Sequence, residues 1–155
     1  MLIRTPYLST HFSLAELTAS QTAARNGLKN EPGPDALANL RRLAVVLEDV
    51  RTALLQAPML VSSGFRSANV NALVGGAADS AHKDGRAADF TAPRFGSPRD
   101  VCQRIVDAGI TFDQLIYEGT WVHIGIARVG EQPRRQVLTA IFANKQPTRY
   151  VGGLT

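Results

Sequence analysis

Apolar positions along the chain change their spacing, from helical in the first third to alternating in the last. Phe12-Ser13-Leu14-Ala15-Glu16-Leu17 predicts a helix start, with Ser13 as cap, Glu16 three residues on, and Phe12 and Leu17 at staple spacing. This helix is short and ends before Gly27. After the loop Glu31-Pro32-Gly33-Pro34, the residues Leu37, Leu40, Leu47, Val50 and Leu54 share one side of a long helix over 35–56, stopped by Ala57-Pro58. Met59–Ser63 then reads as a strand, and Gly64-Phe65-Arg66-Ser67 turns out of it. A short helix over 68–74 and a loop over 77–86 lead to a second strand, 87–91. Ser97-Pro98-Arg99-Asp100 supplies a cap, a proline at the first helical position and an acid in the first turn of a helix over 98–108, which Gly109 ends. Three more strands are predicted at 112–117, 121–127 and 136–143, the first two joined at Glu118-Gly119-Thr120, with a loop tail from Gln146.

Helices first and strands afterwards predict one α+β domain over 1–155: a helical part, 13–56, backing a small, mostly antiparallel sheet in a sheet-bearing part, 59–143. With 155 residues, 45% of them hydrophobic, the chain can build a sizeable core. No apolar run reaches the length of a membrane span, and Met1-Leu2-Ile3-Arg4-Thr5-Pro6 lacks the shape of an export leader. A soluble monomer made in the cytoplasm, without a transmembrane segment, is expected. The net charge of +4 is spread, with Arg134, Arg135, Lys145 and Arg149 supplying much of it. Without a long basic run or many aromatics, a nucleic-acid partner is not expected.

Three histidines and one cysteine restrict the metal chemistry. Zinc fingers, iron–sulfur sites and disulfide scaffolds all need more thiols, so any metal site must use histidine and carboxylate. His82 sits in Ser80-Ala81-His82-Lys83-Asp84-Gly85-Arg86-Ala87-Ala88-Asp89, and Asp89 follows seven residues later at the start of a strand. In Trp121-Val122-His123-Ile124-Gly125, alternation puts Val122 and Ile124 towards the core and leaves Trp121 and His123 on the other face. Taken singly, His82 and His123 read as ordinary loop and sheet histidines. Taken with Asp89, they make a reasonable three-ligand zinc set with a fourth position open to water.

Ser80, His82, Gly85, Ala87 and Asp89 fit the pattern S-x-H-x-x-G-x-A-x-D. With Ser63-Gly64-Phe65-Arg66-Ser67 before it and Trp121-Val122-His123 after it, the chain resembles the zinc D-Ala-D-Ala carboxypeptidases and related peptidoglycan peptidases, VanX- and VanY-like enzymes and phage endolysins among them. The likeness is strongest to small prophage-type members, covers roughly residues 8–143, and includes His11-Phe12-Ser13-Leu14-Ala15-Glu16-Leu17. It implies a DD-peptidase or hedgehog-like fold, with His82, Asp89 and His123 as zinc ligands and Arg66 on the substrate's carboxylate or polarised carbonyl. Gly85 and Ala87 would keep the loop tight, and Ser80 would brace it. Family members commonly place an acid three positions before the last histidine ligand, where this chain has Thr120. The nearest acid, Glu118, is therefore the expected general base, with Asp113 in reserve as a residue better placed to cap or orient a neighbour.

The resemblance implies zinc-dependent cleavage of peptidoglycan stem or cross-link peptides, by a carboxypeptidase or by an endopeptidase of lysin type that reaches the wall after release or non-standard export. Two rivals stand beside it: a non-catalytic zinc-binding module of a wall-binding or phage structural protein, favoured by Thr120, and an enzyme acting on another amide. Trp121 shares a face with His123 and has two readings, a wall of the cleft or a half-buried packing role. Gln114 and Tyr117 are candidates to line the same region, with packing the default for Tyr117 as one aromatic in a strand. His11 reads as structural, Cys102 as a buried small hydrophobe, and Lys83 and Arg86 as solvated loop charges.

Overall fold

The computed structural model describes residues 6–155. The reading of the first residues as lacking a leader falls almost wholly outside that range. Ser13 caps helix α1 (Leu14–Thr18), its hydroxyl accepting the Glu16 amide. The predicted single helix up to Gly27 is in fact two, because Ser20 caps a second helix, α2 (Gln21–Arg25), by accepting the Ala23 amide. Side-chain oxygens that bond nearby amides break helices as readily as they start them. Helix α3 (Pro34–Ala53) starts one residue before the expectation and stops three before it. Leu55 and Gln56 adopt left-handed φ values of 56° and 66°, which take the chain out of the helix ahead of Pro58.

Leu40, Leu43, Ala44, Leu47 and Val50 of α3 are fully buried. Each of the larger ones contributes roughly 1.5–3 kcal/mol by leaving water. They pack against Ala88, Phe90, Leu115, Val122 and Ile124 from the sheet and Val101, Cys102 and Ile105 from helix α5 (Pro98–Asp107). Helix α5 carries the capping box foreseen at Ser97 and Asp100.

The strands are β1 (Leu60–Ser63), β2 (Ala87–Thr91), β3 (Gln114–Tyr117), β4 (Val122–Gly125), β5 (Gln136–Ile141) and β6 (Arg149–Gly152). They form one sheet in the order β1-β2-β4-β3-β5-β6, antiparallel throughout except for the parallel pair β3–β5. Strand β6 corrects the expectation of a loop tail. Tyr150 and Val151 are good strand formers, and β5 offers them an unpaired edge. Between β1 and β2 lies helix α4 (Ala68–Leu73), followed by a single 3-10 turn, Ala81–Asp84.

Two glycines let the helical part approach the sheet. Gly85 ends the 3-10 turn at φ 74°, and a Cβ there would meet the Ala36 carbonyl oxygen at 2.5 Å. A Cβ on Gly64 would overlap the Leu17 carbonyl oxygen, which accepts the Phe65 amide at 2.8 Å. Among the described residues, no helix is long and apolar enough to cross a membrane.

Candidate active site

Strand register builds the centre of the site. Asp89 on β2 and His123 on β4 are direct cross-strand partners, so both side chains leave the same face of the sheet. That is the face away from the core, since Val122, Ile124, Ala88 and Phe90 point the other way and are buried. A bulge between Val61 and Ser63 of β1 brings Ser63 opposite Asp89, a common place for a bulge beside a site.

The 3-10 turn brings the third residue. The Ser80 hydroxyl accepts the His82 amide at 3.3 Å, which is the brace expected of it. His82 is 1% exposed. Its Nδ1 lies 2.7 Å from the Gly64 carbonyl oxygen. A carbonyl can only accept, so Nδ1 carries a proton, and in a neutral imidazole the lone pair then falls on Nε2. That Nε2 is buried and has no hydrogen-bond partner, although Asp89 Oδ1 lies 3.3 Å away, off the line a hydrogen bond needs. The same Oδ1 is 2.9 Å from His123 Nδ1.

One donor atom from each of His82, Asp89 and His123 falls within 4.8 Å of the others. His82 Nε2 and Asp89 Oδ1 face each other at 3.3 Å with no hydrogen bond between them, an arrangement that a cation among these groups relieves. Metal–ligand bonds of about 2.0–2.2 Å suit these separations. The residues therefore fit a zinc ion, and the Gly64 carbonyl is the kind of outer partner that fixes a ligand imidazole's tautomer. Burial pushes the Asp89 carboxyl up, but the hydrogen bond from His123 and the two neighbouring imidazoles outweigh it and hold Asp89 well below the usual carboxylate range.

These groups sit in a cleft of about 860 Å³, and Arg66, Ser80, Gln114, Glu118 and Trp121 all line it. Burial raises the Glu118 carboxyl above its ordinary value; the nearby His123 pulls it down and Asp89 pushes it up. Arg66 is half-buried, its Nε has no hydrogen-bond partner, and its backbone amide donates to the His82 carbonyl at 3.0 Å. Burial lowers the guanidinium's pKa and the Asp89 charge raises it, which places the two groups in each other's field. Gln114 donates through its amide to the Gln136 side chain at 2.8 Å.

One expectation needs correction, that for Arg86, while Tyr117 takes its default packing role: β3 alternates, so Gln114 and Ile116 face the cleft while Tyr117 packs against the core. Arg86 is not a solvated loop charge. It is buried, donating to the Ile126 carbonyl at 3.0 Å and to Asp84 at 2.9 Å, and so ties the loop to the end of β4. Asp113, read as better placed to cap or orient a neighbour than to act as base, lines the cleft and is committed to Arg134, whose guanidinium and amide donate to it and hold its carboxyl low. Lys83 is half-buried, and its Nζ donates to the Ala78 carbonyl at 2.8 Å.

His11 stands apart, with Nδ1 2.7 Å from Glu48 Oε2. Cys102 is buried in α5, and burial pushes its thiol up to about 12. Sequence reasoning missed Phe142 and Tyr150, which line the cleft from the C-terminal strands. The aromatic and β-branched pair Tyr150-Val151 was the available signal.

The sequence pattern of the family Peptidase M15 matches residues 10–125, about three quarters of the chain. No curated protein matches it.

Proposed function

The chain belongs to the M15 peptidase family, and from that premise we propose that it is a zinc-dependent hydrolase of peptide bonds in bacterial peptidoglycan stem or cross-link peptides. The observation that carries this reading is the unpartnered, buried Nε2 of His82, aimed at Asp89 and His123 with Glu118 in the same cleft. His82, Asp89 and His123 would hold the ion. When bound, zinc supplies a Lewis acid that acidifies water and polarises a carbonyl.

The chain's own groups do the rest. Glu118, kept from full solvation, takes the proton from the attacking water and delivers it to the departing amine. Arg66 brings an unpaired donor to the growing negative charge on the carbonyl oxygen, or to a substrate carboxylate. The Gly64 carbonyl keeps the His82 ring in one tautomer and one orientation. Trp121 walls the substrate into the cleft. A positive net charge favours approach to an anionic wall.

Digestion of purified peptidoglycan, with the new amino and carboxyl ends identified by mass spectrometry, tests the reading. New ends at one stem or cross-link bond support it and separate terminal from internal cleavage; no new ends would overturn it. The second reading, a zinc-binding wall module without catalysis, draws on the exposed Thr120 at the position where family members commonly carry an acid. Zinc binding with no cleavage would select it.

A further inference from the structure

The cleft has a wall that lies outside the family match. That match ends at residue 125, and β5 and β6 follow it. Register pairs Tyr150 of β6 with Ala140 of β5, two residues along from Leu138, which lines the cleft. Alternation therefore sets Tyr150 on the cleft face, where it is half exposed and lines the same space as Glu118. Phe142, just past β5, packs close to Gly119 in the turn after Glu118, and its ring centroid is 6.4 Å from that of Trp121. The extension thus abuts the turn that presents the candidate base. Burial raises the Tyr150 phenol above its ordinary pKa, and the charges of Glu118 and Asp89 push the same way, so it stays a neutral hydroxyl donor at neutral pH.

We propose that Tyr150 is a substrate-contacting residue, its hydroxyl donating to a peptide carbonyl on the side of the metal group away from Arg66. Arg66 follows β1 and Tyr150 stands on β6, the two edges of the six-stranded sheet. Five strand spacings separate those edges, roughly 24 Å at about 4.8 Å each, a span that the inward-reaching side chains shorten. An extended peptide advances about 3.3 Å per residue. Arg66 and Tyr150 both reach in towards Asp89 from opposite sides, so a peptide that engages both must cross the metal group, which a stem peptide of several residues does with more contacts than a dipeptide. The substrate is accordingly an oligopeptide rather than a free dipeptide, and β6 sets how far it is gripped. This inference rests on the peptidase reading of the site.

Trp121, the only tryptophan, lines the cleft and reports its occupancy by fluorescence. Metal-free protein is titrated with a synthetic pentapeptide ending in D-Ala-D-Ala and, separately, with the D-Ala-D-Ala dipeptide. The wild type is expected to bind the pentapeptide more tightly. Tyr150→Phe should weaken that binding by about threefold to tenfold, the worth of one hydrogen bond, and Tyr150→Ala by more. Dipeptide binding and zinc affinity, the latter read by calorimetry, should stay unchanged in both variants. Wild-type affinity for the pentapeptide in Tyr150→Ala, or equal affinity of the wild type for the two peptides, would overturn the proposal. Tyr150-dependent binding without zinc-dependent hydrolysis would uphold this contact and remove the peptidase reading; hydrolysis with binding indifferent to Tyr150 would do the reverse.

Discussion

A buried imidazole with one nitrogen committed to a carbonyl has a single nitrogen left to give, and His82 gives it towards Asp89. Replacing His82 with Gln removes that lone pair from its fixed position, so zinc binding measured by calorimetry should be lost. Glu118 is different in kind, since it lies in the cleft without belonging to the three-residue donor group. Glu118→Gln keeps shape and removes the base. It should lower the rate of peptide cleavage by about 100-fold or more while zinc still binds, and a wild-type rate would show that the base lies elsewhere. The face taken by His123 was legible from alternation because the pleat dictates which side a strand residue takes. His82 and Asp89 were singled out by their spacing and the motif they share, and the 3-10 turn that carries His82 was not foreseen. The same alternation accounts for the default packing role of Tyr117, which sits one residue out of phase with Gln114 and Ile116. Arg86 escaped because nothing local announces that a loop arginine will reach the Ile126 carbonyl forty residues away.

Short elements hold these residues, and their ends decide the geometry. The 3-10 turn carrying His82 depends on a left-handed Gly85 pressed against the Ala36 carbonyl of α3. Gly85→Ala adds backbone strain and a steric overlap there, and should cost about 1–3 kcal/mol in urea unfolding and weaken zinc binding. The start of β3 is tied to the segment before β5 by Asp113 and Arg134. The hydrogen bonds from Arg134 hold the Asp113 carboxyl below its ordinary value against a smaller upward push from burial. A carboxyl depressed in the folded state adds stability above its unfolded pKa of about 3.9 and loses it as pH falls through the folded value. Between pH 5 and pH 2, the wild type should therefore lose more unfolding free energy than Asp113→Asn, and equal losses would deny the pair a role. Strand β2 and helix α5 were legible to within a residue, because alternation and capping are local signals. The break between α1 and α2 was also written locally, in Ser20, but a serine inside a helical pattern does not say whether it will cap or continue. Strand β6 depended on an edge that only the folded sheet supplies.

At the scale of the whole molecule, the sheet separates two tasks. One face takes the apolar side of α3 and α5 and makes the core; the other carries the carboxylate, one imidazole and the cleft. The α+β class and the mostly antiparallel sheet followed from the order of elements, while the parallel β3–β5 pair did not, because it joins strands that are not consecutive. The shortage of cysteine proved informative, since it left histidine and carboxylate as the only donors to look for. The central claim is that these donors hold a zinc ion on which hydrolysis depends. Its most direct test is to strip the purified protein with a chelator and follow the release of new amino groups from peptidoglycan before and after zinc is restored. No release is expected from the stripped protein, and recovery of release is expected with zinc. Undiminished release from protein shown to be free of metal would contradict it.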